Sequence, residues 1–256
     1  MNGVFDAYAR YYDLLYRDKD YSTEANYIAE HVRRHDLQAT SILELGCGTG
    51  GHAEHLAQQG FSIDGLDLSE AMVDRARARQ AALPAAVADR LSFATGDMRR
   101  ARTGKTYDVV ISLFHVMSYQ TSNADLHAVF STAAAHLAPG GLFLFDFWYG
   151  PAVLTVQPEV RVRRLEDDAI RVTRIAEPFM HPNRNVVDVN YAVFVEDKTS
   201  GAVHELRETH PMRYLFLPEL SLLADPWFSA NGNYGWMTNN PPDAGTWAAI
   251  SLMSRV

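Results

Sequence analysis

Residues 42–57, ILELGCGTGGHAEHLA, restrict the fold of this chain more than any other stretch. Ile42, Leu43 and Leu45 make a short apolar run of the kind a central parallel strand shows, and Gly46, Gly48, Gly50 and Gly51 then interrupt it. Glycine takes positive φ cheaply and lets a ligand approach the backbone. Residues 52–59 follow as a helix whose first amides would face the same space. Strand, tight turn and helix N-terminus together predict an α/β fold with a nucleotide-type site.

Two kinds of ligand fit the glycines. Gly46, Gly48 and Gly51 satisfy the G-x-G-x-x-G dinucleotide fingerprint, and Asp67, at the end of a second apolar run, could hold a ribose hydroxyl in either case. Glu44 stands two residues before the first glycine, near whatever the turn holds. A pair of unit charges ~4 Å apart at an effective dielectric of about 20 interacts by roughly 4 kcal/mol before solvation offsets it. A pyrophosphate would be repelled there; an ammonium or sulfonium would be attracted. No Lys or Arg lies between Ser41 and Val73 to neutralise a phosphate.

These residues resemble the class I S-adenosylmethionine (SAM) dependent methyltransferases, whose first motif has the form E/D-x-G-x-G-x-G. It stands here as Glu44-Leu45-Gly46-Cys47-Gly48-Thr49-Gly50. Further matches follow in the family's order: Gly65-Leu66-Asp67-Leu68-Ser69, Gly96-Asp97-Met98, and Tyr107-Asp108-Val109-Val110. The resemblance covers roughly residues 11–147. It implies SAM as cofactor and S-adenosylhomocysteine as product. It also implies a cofactor site built from Glu44, Gly46, Cys47, Gly48, Asp67, Leu68, Met72, Asp97, Met98 and Phe114, with Asp67 on the ribose, Met72 against the adenine and Asp97 at its amino group.

Composition bounds the partners. A chain of 256 residues with 47% hydrophobic content can bury a large core. Its net charge of −8 argues against nucleic acid or an anionic membrane, which bind clustered Lys and Arg. No apolar run reaches the ~20 residues that span a bilayer, and the N-terminus lacks a secretory pattern, so a cytoplasmic location is expected. The single cysteine, Cys47, suits a reducing compartment and reads as a small residue packed in the turn. No motif of metal-ligand spacing occurs; His52 and His55, three apart on one helix, read as a solvated face.

Residues 4–39 read as helical, with Asp20, Ser22 or Thr23 as caps. Tyr8, Tyr11, Tyr12, Tyr16 and Tyr21 crowd this segment. Tyr12-Asp13-Leu14-Leu15-Tyr16 with Lys19-Asp20-Tyr21 resembles the small-molecule and sugar N-methyltransferases, in which such a segment closes over the cofactor. Carried over, Tyr16 would face the acceptor and Tyr21 would reach the SAM carboxylate.

The later strands are expected at 61–68, 91–94, 107–114 and 142–147, with helices at 69–82 and 125–136, the last closed by Pro139-Gly140-Gly141. The fourth strand delivers His115, Ser118 and Tyr119 to the ligand-binding edge. A His there could take a proton from an amine or hydroxyl, because its ordinary pKa is near neutral. The sugar enzymes carry a His near the place of Tyr119, which leaves the identity of any base open. Residues 160–165, 169–176, 186–196 and 203–214 alternate with period two and suggest an antiparallel insertion. A helix at 218–228 and a hairpin of 234–238 with 246–255 would close the sheet. Asn240-Pro241-Pro242-Asp243 reads as turn chemistry.

The expected architecture is a Rossmann-like seven-stranded methyltransferase sheet with helices on both faces and an antiparallel β insertion after the fifth strand. Residues 1–40 would form a helical lid and 41–150 the SAM-binding core. Residues 155–215 would roof the substrate or pair two subunits into a homodimer, and 216–256 would complete the sheet. The expected reaction is methyl transfer to a small-molecule acceptor, first an amino group such as one on a nucleotide-linked sugar. Tyr16, His115 and Tyr119 are the candidate catalytic residues. A small-molecule O-methyltransferase is the nearest alternative, and a nicotinamide-dependent oxidoreductase or a non-catalytic SAM-binding protein are the more distant ones.

Overall fold

The computed structural model describes residues 14–256. Five parallel strands, β1 (Ser41–Leu45), β2 (Ser62–Asp67), β3 (Leu91–Thr95), β4 (Tyr107–Ser112) and β5 (Leu137–Tyr149), begin the central sheet. The hairpin of β10 (Phe228–Gly235) and β11 (Ala248–Arg255) completes it, with β11 antiparallel to β5. The order is β3-β2-β1-β4-β5-β11-β10, which reverses at β1/β4 and leaves a crevice at the strands' carboxyl ends. Four more strands, β6 (Arg161–Glu166), β7 (Ile170–His181), β8 (Val186–Asp197) and β9 (Val203–Leu215), form an antiparallel meander. It joins the sheet through two pairs at the end of β5, Trp148 with Tyr214 and Tyr149 with Leu215. The connected sheet therefore has eleven strands, seven in the Rossmann-like core and four in the insertion.

Both faces are covered, as the continuous apolar strands require. On one face α1 (Tyr21–His35), α2 (Gly51–Gln58) and α3 (Glu70–Ala81) pack Ile28, Val32, Leu56 and Val73 against Ile42, Ile63 and Val109. On the other, α5 (Asn123–Ala135) and α7 (Leu217–Ala224) pack Val129, Phe130, Leu220 and Leu223 against Leu43, Phe143 and Phe145. Two short helices, α4 (Ala85–Ala88) and α6 (Gly150–Val156), lie in connections, and α6 was not anticipated in the sequence.

The structure moves several expected boundaries. The helix foreseen over 4–39 is not continuous: Leu14 and Leu15 are helical, a turn follows, and α1 starts anew at Tyr21. Asp20 is its N-cap, accepting from the Thr23 N–H at 2.9 Å. Tyr8, Tyr11 and Tyr12 lie outside the described residues. The helix expected over 218–228 ends at Ala224, because Pro226 has no N–H and disfavours helical backbone at Asp225. The chain thus turns early and β10 starts at Phe228, ahead of the expected 234. Strand β5 reaches back to Leu137, with a register shift spanning the Pro139-Gly140-Gly141 stop, and forward to Tyr149, where the insertion pairs with it.

Candidate active site

The turn after β1 has the conformation its glycines allow. Gly46, Gly48 and Gly50 have φ of 83°, 54° and 76°, and a Cβ on Gly46 would stand 2.5 Å from a methyl of Val116. The Gly46 and Cys47 amides donate to the Leu66 carbonyl at 2.7 and 2.9 Å, which closes the turn onto the end of β2. Asp67 is fixed by the same turn: it accepts from the Gly48 N–H at 2.9 Å and the Ser69 N–H at 2.9 Å. A carboxylate offers about four lone-pair directions, so acceptor capacity remains for a ribose. Burial raises the Asp67 pKa despite those amides.

Glu44 is 1% exposed. Burial, reinforced by the charge of Asp67, pushes its carboxyl up to about 8. Among the described residues its Oε2 has no hydrogen-bond partner, and its Oε1 lies 3.9 Å from His52 Nδ1. A buried acceptor of this kind is costly unless something donates to it. A cationic donor in the crevice would both satisfy Glu44 and restore its charge, whereas an anion would do neither. The residues therefore fit SAM.

His52 corrects an expectation: it is buried, with Nε2 2.7 Å from Glu24 Oε2, and Glu24 in turn pairs with Lys19. Lys19 Nζ lies 4.4 Å from the centre of the Phe114 ring and 5.0 Å from that of Tyr21. The Tyr21 ring stands edge-on to His52 at 4.9 Å and fills the space where a Gly51 side chain would go. In sequence Lys19 belongs to the tyrosine-rich segment, outside the glycine stretch, and its place beside Tyr21 and Phe114 follows only from the fold.

The remaining cofactor candidates divide. Cys47 and Met72 are buried beside the turn, in the cluster under α2 and in that of Leu14, Leu15 and Val172 respectively, while Leu68 is half-buried. Burial, then Asp67 and Glu44, raises the Cys47 thiol well above its ordinary value, so it is no nucleophile. Met98 is buried and accepts from Gln120 Nε2 at 3.3 Å. Asp97 is committed elsewhere: its oxygens accept from Arg99 Nε at 2.9 Å and Nη2 at 2.7 Å, and that pairing lowers its pKa. An adenine amino group would have to share an acceptor there.

Beyond β4 the backbone is strained. Phe114 and His115 have φ of 67° and 63°, a left-handed pair without glycine, and such outliers gather where function fixes geometry. Asp146, on β5 and 1% exposed, holds the turn by accepting from the His115 N–H at 2.9 Å. Its other oxygen lies 2.7 Å from His115 Nδ1, off the line of a hydrogen bond. Sequence reasoning passed over Asp146, although a lone carboxylate inside the apolar run FLFDFW was a signal. Tyr16 meets Phe114 edge-on at 5.0 Å, and Trp148 stands 6.5 Å from His115. Ser118, delivered to the same edge, is buried and accepts from the Trp148 N–H at 3.0 Å.

Tyr119 points to the insertion. Its hydroxyl lies 2.8 Å from His210 Nδ1, and His210 Nε2 is 3.3 Å from Glu208 Oε2. Residues paired directly across strands share a face, so Tyr191, Glu208 and His210 look the same way from β8 and β9 as Val172 and Arg174 from β7. The structure thus brings Tyr16, Phe114, His115 and Tyr119 to the crevice edge under the inner face of the insertion. No cluster of His, Cys, Asp and Glu among the described residues could hold a metal.

Comparison with known proteins agrees with this geometry. A family model described as a methyltransferase domain matches residues 42–141. The dTDP-3-amino-3,4,6-trideoxy-alpha-D-glucopyranose N,N-dimethyltransferase of Streptomyces venezuelae is 36% identical over 202 residues, 77% of this chain and 79% of that one. The crystal structure of DesVI from Streptomyces venezuelae superposes with a TM-score of 0.77 at 27% identity, covering 95% of this chain and 97% of the other. SAM-bound CalS10, an amino pentose methyltransferase from Micromonospora echinaspora, gives 0.74 at 25% identity over 96% of both chains. The glycine turn therefore does not belong to a nicotinamide-dependent oxidoreductase, nor the fold to a mere binding protein: the chain belongs to the class I SAM-dependent methyltransferases, as an enzyme of their small-molecule and sugar branch.

Proposed function

We propose that this enzyme methylates the amino group of a nucleotide-linked amino sugar, with SAM as donor. The observation that carries the reading is the aromatic corner of Tyr16, Phe114, His115 and Tyr119, roofed by an insertion whose inner face carries Arg174 and Tyr191 4.9 Å apart. Aromatic walls suit the apolar face of a deoxygenated sugar, and two relatives are by name N,N-dimethyltransferases of dTDP-linked amino sugars.

When bound, SAM supplies a methyl carbon already activated by positive sulfur. The chain's own contribution is alignment, which can lower a barrier by about 7–11 kcal/mol when reacting atoms are held near attack. Glu44, Asp67 and the glycine turn would fix the donor, Leu68, Met72 and Met98 would pack beside it and Tyr21 would close one end. Phe114 would separate donor from acceptor side, and Tyr16, His115 and Tyr119 would orient the acceptor nitrogen. Of the segment 1–40 we read the described part, from Leu14 on, as a lid, with 41–150 as the cofactor core, 155–215 as the acceptor roof and 216–256 as the completion of the sheet.

The test is a paired incubation with SAM, one vessel holding a nucleoside-diphosphate amino sugar and the other its hydroxyl parent, read by mass. Gains of one and two methyl groups on the amine alone are expected. Transfer only to the hydroxyl parent would replace this reading by O-methylation. His115→Ala should slow amine methylation modestly, because an amine with its lone pair exposed needs little further activation.

A further inference from the structure

An amine that is to be methylated twice must lose a proton before each transfer, since the nitrogen is an ammonium both in neutral water and after the first transfer. Tyr119 alone is poorly suited to take it. Burial, then the neighbouring Tyr191, Tyr16 and Glu208, hold its phenol well above the ordinary value against the opposing charge of Arg174. Such a phenol accepts a proton only if it gives up its own in the same movement. The residues that permit this lie on the insertion.

His210 and Glu208 stand two apart on one face of β9, and each side chain is 4% exposed. A Glu208 carboxylate can only accept, so His210 Nε2 donates to it and Nδ1 keeps its lone pair for the Tyr119 hydroxyl 2.8 Å away. The Tyr191 ring stands perpendicular to His210 at 5.0 Å and keeps the imidazole from turning. Among the described residues, Tyr119 from the turn after β4, Glu208 from its own strand and Tyr191 from β8 meet His210, with Arg174 from β7 over the Tyr191 ring and Tyr16 from the N-terminal segment acting on Tyr119.

We propose that Tyr119, His210 and Glu208 form a proton relay, carried largely by the insertion, that takes the proton from the acceptor nitrogen before and between methyl transfers. The nitrogen's proton moves to Tyr119 Oη while the phenol proton moves to His210 Nδ1, and Glu208 balances the imidazolium; before the second transfer the imidazolium returns its proton through Tyr119 to water admitted as S-adenosylhomocysteine is exchanged, which frees Nδ1 again. The electron pair left on nitrogen then forms the N–C bond as the methyl carbon leaves sulfur, which keeps the pair of the broken bond. Tyr119 is the group that touches substrate; His210 and Glu208 are positioning residues acting through it. The inference rests on the amine reading above.

The test combines a static and a kinetic readout on Tyr119→Phe, His210→Gln and Glu208→Gln. Nitrogen NMR of the enzyme without SAM should find neutral His210 protonated at Nε2 and bare at Nδ1; the opposite tautomer overturns the relay. In turnover, the acid limb of kcat/KM should move up by about one pH unit or more in Tyr119→Phe and His210→Gln, with at least a tenfold loss near pH 7 that recovers near pH 9. Monomethylated product should accumulate. Glu208→Gln, which keeps size and hydrogen-bonding capacity, should shift the limb in the same sense, and it carries the test if His210→Gln fails to bind SAM. Normal N-methylation with a pH profile and product ratio unmoved in the variants overturns the relay alone. No transfer to nitrogen by the unmodified enzyme overturns the amine reading and the relay with it.

Discussion

Glu44 holds a proton it would not hold in water. Its carboxyl titrates at about 8 in the folded chain against an ordinary 4.5, so the folded state binds the proton more tightly than the unfolded one. Stability from this group is complete below about pH 4.5 and is lost as pH rises toward 8. Glu44→Gln should therefore raise the Tm of the SAM-free enzyme more at pH 8 than at pH 5, measured by calorimetry. Binding of SAM inverts the balance, because a cation favours the ionised acid. Calorimetry near pH 7 in buffers of different ionisation enthalpy should show a proton released by the unmodified enzyme that Glu44→Gln does not release; equal proton release by both would remove Glu44 from the cofactor site. In the sequence alone Glu44 reads as a fixed negative charge. Burial, which a sequence does not display, makes the charge conditional on the ligand.

At the scale of elements, Asp108 shows how a motif residue can be structural. Its Oδ2 accepts from the Thr40 N–H at 2.8 Å and from the Ser41 N–H and hydroxyl at 2.9 and 2.8 Å, stapling the start of β1 to β4. Burial pushes its pKa up, but these donors outweigh it and the net shift is downward. The contribution is present above about pH 4 and lost as pH falls through the lowered value. Asp108→Ala should lower stability at pH 7 by about 1–3 kcal/mol in urea unfolding, and by less at pH 3. A loss equal at both pH values would show that the staple owes nothing to the charge.

The glycine turn, β1–β4 and the insertion strands were legible because their periods and turn residues are local. Other features were not local. The Asp146 contact with His115 joins β5 to the end of β4, and His210 reaches Tyr119 across 91 positions. Neither pairing follows from a motif, since each is made by strand order. The shortened α7 was within reach of the sequence, because Pro226 already stood inside the helix foreseen there.

For the whole molecule, a cofactor that binds only the folded chain raises stability by mass action. At a hundredfold excess over Kd the gain is about 2.7 kcal/mol, which for a chain of this size corresponds to a Tm shift of about 5–10 °C. SAM and S-adenosylhomocysteine should each produce it in a thermal scan, and NAD should not; a shift with NAD alone would reverse the assignment of the crevice. Among the described residues no helix is long and apolar enough to cross a membrane.

Among the described residues, two backbone pairs fasten the insertion to the central sheet, Trp148 with Tyr214 and Tyr149 with Leu215, on the strand that also bears Asp146. A seam so narrow makes the meander an exchangeable cassette. Replacing it by another meander, with joints just outside those two pairs, would retune which acceptors are admitted and would leave the donor half intact only where Val172 and Val193, which pack with Met72, are kept.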